Sequence, residues 1–376
     1  MAEHARDATP DGMQHLLSRA VWDTDAVRDD LRDYVVGHLG QARAVLVVET
    51  GDLKKGSGTV GVQRQYTGTA GRIENSQVAV FLAYATDAGH AFIDRELYLP
   101  QAWTADAERC QAAGVPDGRS FATKGELATR MVARALDAGV GACWVAGDEV
   151  YGQSPHLRTE LEERQVGYVL AVASSHRVTT GAGLRRADQV TFQLPHRAWQ
   201  RLSAGAGAKG HRFYDWAFVR IDPERQGRHW LLIRRNRRTS ELAFYRCYSP
   251  AAVPLAVLVK VAGRRWTIEE SFQSGKGLTG LDEHQVRRWR SWHRWTILVM
   301  LVHAFLAAVA ASERADQQPD TGLTPLTLGE IRRLLVRLLT GAAPTLADVL
   351  GWSYWRRRHQ ARARISHYRR QAAQET

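Results

Sequence analysis

Three short apolar runs constrain this 376-residue chain more than any other feature: Arg43 to Val48 (RAVLVV), Cys143 to Ala146 (CWVA) and Gly167 to Ala173 (GYVLAVA). Runs without polar alternation mark strands buried on both faces, and a strand with no wet face needs helices above and below its sheet. The intervening segments supply them. Thr123 to Ala138 has amphipathic helical spacing and stops at Gly139, and Leu157 to Gln165 reads as a second helix. Gln77 to Thr86 and Ala91 to Leu99 read as two further strands joined by a turn at Asp87-Ala88-Gly89. The order β-β-β-α-β-α-β predicts an α/β fold, a mixed sheet flanked by helices.

Short helices open the chain between Gln14 and Leu39, with Asp23 as an N-cap. Between Ser174 and Pro250 the pattern changes to strands alone: Gln189 to Gln193, Trp199 to Ser203, Arg212 to Ile221, His229 to Arg234 and Leu242 to Tyr248. This predicts a β-rich insertion forming a module of its own. After Pro254 the chain reads as helical, with breaks near Gly277 to Gly280, Pro319 to Pro325 and Gly341 to Pro344. The expected division is a helical segment 1–40, the first part of the core 41–174, the insertion 175–252, a helix completing the core 253–280 and a helical basic region 281–376. The longest apolar run, Trp295 to Ala311, contains His303 and reads as a buried helix rather than a membrane span. Cys110, Cys143 and Cys247 are scattered and the N-terminal residues are polar, so the expectation is a reducing, cytoplasmic compartment with neither disulfides nor structural zinc.

Lys and Arg number 51 against 39 Asp and Glu, a net charge of +12, which points to a polyanionic partner, nucleic acid before an anionic membrane. The excess lies in residues 201–246 and 351–376, whereas residues 1–34 are acidic. Candidate phosphate contacts are Lys54, Lys55 and Arg64 in a Gly-rich connector, Arg234, Arg235, Arg237 and Arg238 at a strand-to-strand turn, and Arg356, Arg357 and Arg358 on a basic terminal helix. Trp289, Trp292 and Trp295, interleaved with arginines, suit either base stacking or one buried helical face.

Glu49 and Asp148 each follow an apolar strand, the edge where open α/β sheets place their ligands. Glu269 falls at the start of a helix on which Arg265, Glu269, Gln273 and Lys276 share a face. Three such carboxylates could hold two hard cations about 3.5–4 Å apart. Turn caps and a solvated ladder of ion pairs fit the same spacing.

Several blocks resemble the DDE-type insertion-sequence transposases of bacteria: ETGDLKKGSGTVGVQRQYTGTAGRIENSQVAVFLAYA from Glu49, IDRELYLPQAW from Ile93, WVAGDEVYG from Trp144, SAGAGAKGHRFYDWA from Ser203 and RRWTIEESFQSGKGLTGLDEHQVRRW from Arg264. The resemblance implies a ribonuclease-H-like core with a β-rich insertion between its second and third acids. It also implies two Mg²⁺ (or Mn²⁺) ions on Glu49, Asp148 and Glu269, with Arg265 and Lys276 on phosphate. Element ends and target, both double-stranded DNA, would be the partners, with a homodimer in the end-paired complex, a nucleoid-associated location and no membrane. The second acid maps to Asp148. The third maps to Glu269, because the family's helix motif has an Arg four residues before it and a Lys seven after. The family's Tyr, three residues before that Arg, is Ala262. Relatives read Asp-Glu-Thr-Gly after the first strand, whereas this chain reads Val48-Glu49-Thr50-Gly51, one residue short at the Asp, which leaves Glu49 or Asp52 for the role. Relatives also carry several dozen residues before the block matched by Asp11 to Gln14, a segment expected to help recognise element ends. A catalytically inactive derivative that only binds DNA, and a cellular nuclease on the same core, are the competing readings.

Overall fold

The apolar runs become the centre of one ten-stranded mixed sheet. The computed structural model describes residues 11–40, 44–54, 56–67, 71–207, 210–316, 322–340 and 346–374. Helices α1 (Asp11–Ser18) and α2 (Thr24–Leu39) come first, with the Asp23 carboxylate capping α2 by accepting from the Asp25 N–H at 2.7 Å. Strands β1 (Ala44–Leu53), β2 (Gln63–Thr67), β3 (Arg72–Ala85) and β4 (His90–Leu97) follow. Short helices α3 (Gln101–Thr104) and α4 (Ala107–Ala112) lead to α5 (Lys124–Asp137), which a Thr123–Glu126 capping box starts. Then come β5 (Ala142–Gly147), α6 (Glu149–Gly152), α7 (Pro155–Glu163) and β6 (Gly167–Val172).

β1 lies between β3, antiparallel to it, and β5, parallel to it, and β5 pairs in parallel with β6. On the far edge of β3 lie β4 and β2. This is the mixed sheet flanked by helices expected from the strand order, and it is consistent with the ribonuclease-H-like core that the resemblance implies. β1 runs further than its apolar stretch implies, because Glu49 to Leu53 stay in the ladder instead of leaving it.

The next segment holds a ribbon, β7 (Arg177–Thr180) with β8 (Gly183–Arg186), then α8 (Ala187–Phe192), β9 (Gln200–Gly207), β10 (Gly210–Ile221), β11 (Arg228–Arg235) and β12 (Leu242–Ser249). The run from Gln189, expected as a strand, is helical: Ala187 and Val190, three apart, bury together beside Val178 and Ile221. β12 pairs antiparallel with β6, Phe244 opposite Val172, and β11, β10 and β9 continue outward. The inserted strands therefore extend the core sheet rather than standing off as a separate module.

The remainder is helical: α9 (Leu255–Arg264), α10 (Trp266–Thr279), α11 (Trp289–Asp316), α12 (Leu328–Thr340) and α13 (Leu346–Gln374). Gly280 in the left-handed region (φ 72°) ends α10, as the sequence break there predicts. Pro319 and Gly341 to Pro344, where other breaks are expected, lie outside the described residues. α11 is long and apolar enough to cross a membrane, yet Trp292, Ile297, Met300, His303 and Ala304 are buried in the core. Burial holds the His303 imidazole down at about 3, so it stays neutral, and its Nε2 lies 2.9 Å from the Ser274 hydroxyl.

α9 touches the inserted sheet where glycine is required, since a Cβ at Gly263 would fall on the Ala204 carbonyl oxygen of β9. Gly263→Ala should therefore destabilise the fold by about 1–3 kcal/mol through overpacking. Its urea midpoint should fall with an unchanged m value, and an unshifted midpoint would show that this contact is dispensable.

Candidate active site

Parallel pairing of β1 with β5 sets Val47 opposite Ala146 and Val48 opposite Gly147. Glu49 and Asp148 are the next residues of the two chains, so their backbones arrive side by side. Across the other edge, Glu49 pairs with Phe81. The Phe81 ring packs edge-on against Phe272 of α10, with centroids 5.4 Å apart, and Glu269 lies one turn before Phe272. Asp148 caps α6, its Oδ1 accepting from the Val150 N–H at 2.8 Å. Glu269 is exposed and stands 3.7 Å from Arg265. Asp148 and Glu269 thus each satisfy their simpler reading, the first as a cap and the second as an i, i+4 ion pair. Asp148 keeps its second oxygen without a protein partner among the described residues. Those residues contain no group of three or more His, Cys, Asp or Glu close enough to hold a metal ion. The donor set offered by β5 and α10 is carboxylate oxygen without imidazole or thiolate, the chemistry that suits Mg²⁺ or Mn²⁺.

A register irregularity follows Glu49. From Thr50 to Asp52 β1 advances two residues, while its partner β3 advances three, from Val80 to Gln77. Gly51 alone faces Val78 and Ala79, so β1 is one residue short of a regular ladder at this point.

Glu270 and His90 have no sequence signal of their own, yet the structure engages them. His90 Nε2 approaches the Glu270 carboxylate at 3.4 Å, and its Nδ1 meets the Ser271 hydroxyl at 2.7 Å. The hydrogen bond from His90, more than any other influence, lowers the Glu270 carboxyl below its usual range. A cavity of about 520 Å³ opens beside Glu270, where Lys260 and Arg264 both pair with Asp87 of the β3–β4 turn. Through these contacts the start of α10 is pinned to the hairpin.

Few of the expected phosphate contacts are free. Arg356 pairs with the fully buried Glu330, and Arg357, itself buried, donates to the Thr324 carbonyl at 2.8 Å and lies 3.4 Å from Glu313. These two fasten α13 to α12 and α11, and of that triplet Arg358 alone is exposed. Arg235 binds Asp215 at 3.1 Å and lies over Trp199, and Arg234 lies over Tyr214, leaving Arg237 and Arg238 exposed at the turn. Trp289 and Trp292 are core residues, and Arg294 is buried with its guanidinium on the Leu16 and Ala20 carbonyls, so this stretch is packing rather than a stacking platform. Arg64 is exposed on β2. Lys54 is half-buried, reaching the Asp282 carbonyl at 3.4 Å. Lys55 lies outside the described residues.

The DDE superfamily endonuclease family matches residues 1–191, and the transposase DDE domain family matches residues 124–305. A probable transposase for insertion sequence element IS701 from Microchaete diplosiphon is 32% identical over 170 residues, covering 44% of this chain and 42% of the relative. The match therefore spans less than half the length of that curated protein.

Removing a buried ion-pair partner leaves an uncompensated charge, which typically costs about 3–5 kcal/mol. Arg357→Glu, which also turns attraction to Glu313 into repulsion, should lower the thermal midpoint clearly, while Arg358→Glu leaves it within about a degree. Equal effects of the two substitutions would contradict the inward placement of Arg357.

Proposed function

Because the chain belongs to the DDE superfamily of endonucleases, we propose that it is the transposase of an insertion sequence, one that binds the element's ends and cuts and rejoins DNA strands. The observation that most supports this reading is the β1–β5 register, in which Glu49 and Asp148 follow the last paired residues of adjacent parallel strands. The Arg265, Glu269 and Lys276 face of α10, on the helix that covers β3 at Phe81, supports it further.

In this reading Glu49, Asp148 and Glu269 hold two Mg²⁺ or Mn²⁺ ions, which when bound polarise the scissile phosphodiester and lower the pKa of the attacking water or 3′-hydroxyl. The chain's own residues prepare the site. The Asp148 cap fixes one carboxylate to the rigid end of β5. Arg265 turns from Glu269 to a DNA phosphate, and Lys276, two turns along the same face, takes a neighbouring one. Exposed Arg64, Arg237, Arg238 and Arg358 follow the duplex backbone without reading its sequence. A homodimer would bring two ends together.

A duplex carrying the terminal repeats that flank the gene, incubated with Mn²⁺, tests the acids. Asp148→Asn and Glu269→Gln should each reduce nicking by at least about 100-fold, beyond the loss caused by an outer-shell partner. Full activity in either variant would remove that residue from the site.

The short β1 generates a separate expectation. Inserting an Asp between Val48 and Glu49 would let the new residue face Phe81, Glu49 face Val80, Thr50 face Ala79 and Gly51 face Val78, which restores an even ladder up to Asp52 opposite Gln77. An insertion in a strand paired to a neighbour normally shifts its register and disrupts it. This one should leave the thermal midpoint unchanged or higher, and it should raise metal-dependent nicking by setting an Asp beside Asp148. A large drop in the midpoint would show that the bulge is a required feature of the strand.

A further inference from the structure

The outer edge of the sheet carries a second charged cluster, built by β4 with α2 and α5. β4 presents Asp94, Arg95 and Glu96 in succession, all buried. Arg134 from α5 bonds Asp94 at 2.8 Å and Glu96 at 3.0 Å, and Arg28 from α2 reaches Asp94 at 4.0 Å. Arg95 is only 1% exposed. It donates to the Thr24 carbonyl at 3.3 Å and lies 3.6 Å from Asp25, while its Nε–H has no partner. A buried guanidinium N–H left unpaired is costly and calls for an acceptor.

Beside it is a cavity of about 270 Å³, walled by Arg95, Arg119, Arg134, Arg290, Trp289 and His293. Its charges do not balance: four arginines line it, against the two acids Asp25 and Glu96. Arg119 stays 3.9 Å from Glu96 and lies over the Trp289 ring. Burial, and after it the field of Arg95, holds His293 well below its ordinary value, so this ring remains neutral. The first turn of the 28-residue α11 forms one wall. Its Arg290 and Ser291 N–H groups have no backbone partner among the described residues, and they add the positive end of a long helix.

We propose that this cavity binds a phosphate group, from a DNA backbone or from a free phosphate. Several guanidinium groups lining one cavity at a helix N-terminus suit a tetrahedral, multiply charged oxyanion. The volume is below the range of about 300–1,000 Å³ typical of sites for larger organic ligands, which favours the phosphate alone over a whole nucleotide. The block beginning at Ile93 brings Asp94 to Glu96 into the sequence as one stretch, whereas Arg119, Arg134 and Arg290 join them only in the fold.

Inorganic phosphate titrated into the full chain, against chloride at matched ionic strength, tests the site. Phosphate should raise the thermal midpoint progressively, as expected for a ligand of the native state. Arg119→Ala and Arg290→Ala, both at solvent-accessible positions that the fold tolerates, should each cut that shift by at least half. Arg288→Ala, exposed but outside the cavity, should leave it intact. Equal shifts in phosphate and chloride, or a phosphate-specific shift that survives both cavity substitutions, would overturn the proposal. Competition identifies the source. If DNA fills the site, phosphate displaces a labelled duplex from the wild type but less effectively from Arg290→Ala. If the phosphate shift persists while duplex binding ignores both phosphate and the substitution, the ligand is a free phosphate.

Discussion

The two-sided pairing of β1 is the constraint from which the rest of this structure follows. With β3 antiparallel on one edge and β5 parallel on the other, β1 is paired on both edges as far as Val48 and on the β3 edge alone from Glu49 to Leu53. Its first half lies between two strands in the interior of the sheet, which agrees with its lack of polar alternation. The pairing also fixes what lies at the strand's end. Parallel strands in register deliver their next residues to the same place, so Glu49 and Asp148 meet although about a hundred residues separate them.

The elements legible in the sequence are those whose burial pattern is strong enough to override context. β5 and β6 read as strands because nothing in CWVA or GYVLAVA is polar, and α5 reads as a helix because its apolar stripe and the stop at Gly139 agree. The error at Gln189 comes from a short segment in which strand and helix patterns are equally satisfied. Tertiary burial of Ala187 and Val190 then decides. Continuity of β12 with β6 was beyond reach, since no residue pattern states which strand a distant strand will pair with. Asp148 and Glu269 were legible as acids at a strand end and on a helix face. The pinning of α10 by His90 and Glu270 was not, because those residues meet across 180 positions of chain.

The arginine content shows why composition is a weaker guide than placement. A net charge of +12 suggests a surface for nucleic acid, yet Arg28, Arg95, Arg246, Arg294 and Arg357 are buried. Each bonds a carboxylate or a backbone carbonyl, and several join elements far apart in sequence. A guanidinium can satisfy carbonyls in several directions at once and keeps its charge when desolvated, which a lysine does less readily. Arginines therefore serve here as internal fasteners as well as prospective phosphate contacts, and solvent exposure in the fold separates the two uses.

The register step beside Glu49 shows how a sheet confines an irregularity. A strand in register with its neighbour cannot gain or lose a residue silently, because every later side chain would change face. Here the slip is confined: Val45 to Thr50 keep register with β3, and one step later Asp52 and Leu53 are back in the ladder opposite Gln77 and Ser76. The irregular step holds Gly51 of β1 opposite Val78 and Ala79 of β3, so β3 carries the extra residue. The sheet upstream of Glu49 therefore has the same pairing whether β1 contains this residue count or one more. What the step decides is which residue follows the last β1–β5 pair, and so lies next to Asp148 along the backbone, here Glu49. The irregularity thus bears on which residue the strand delivers at its end, and the pairing that builds the sheet is independent of it.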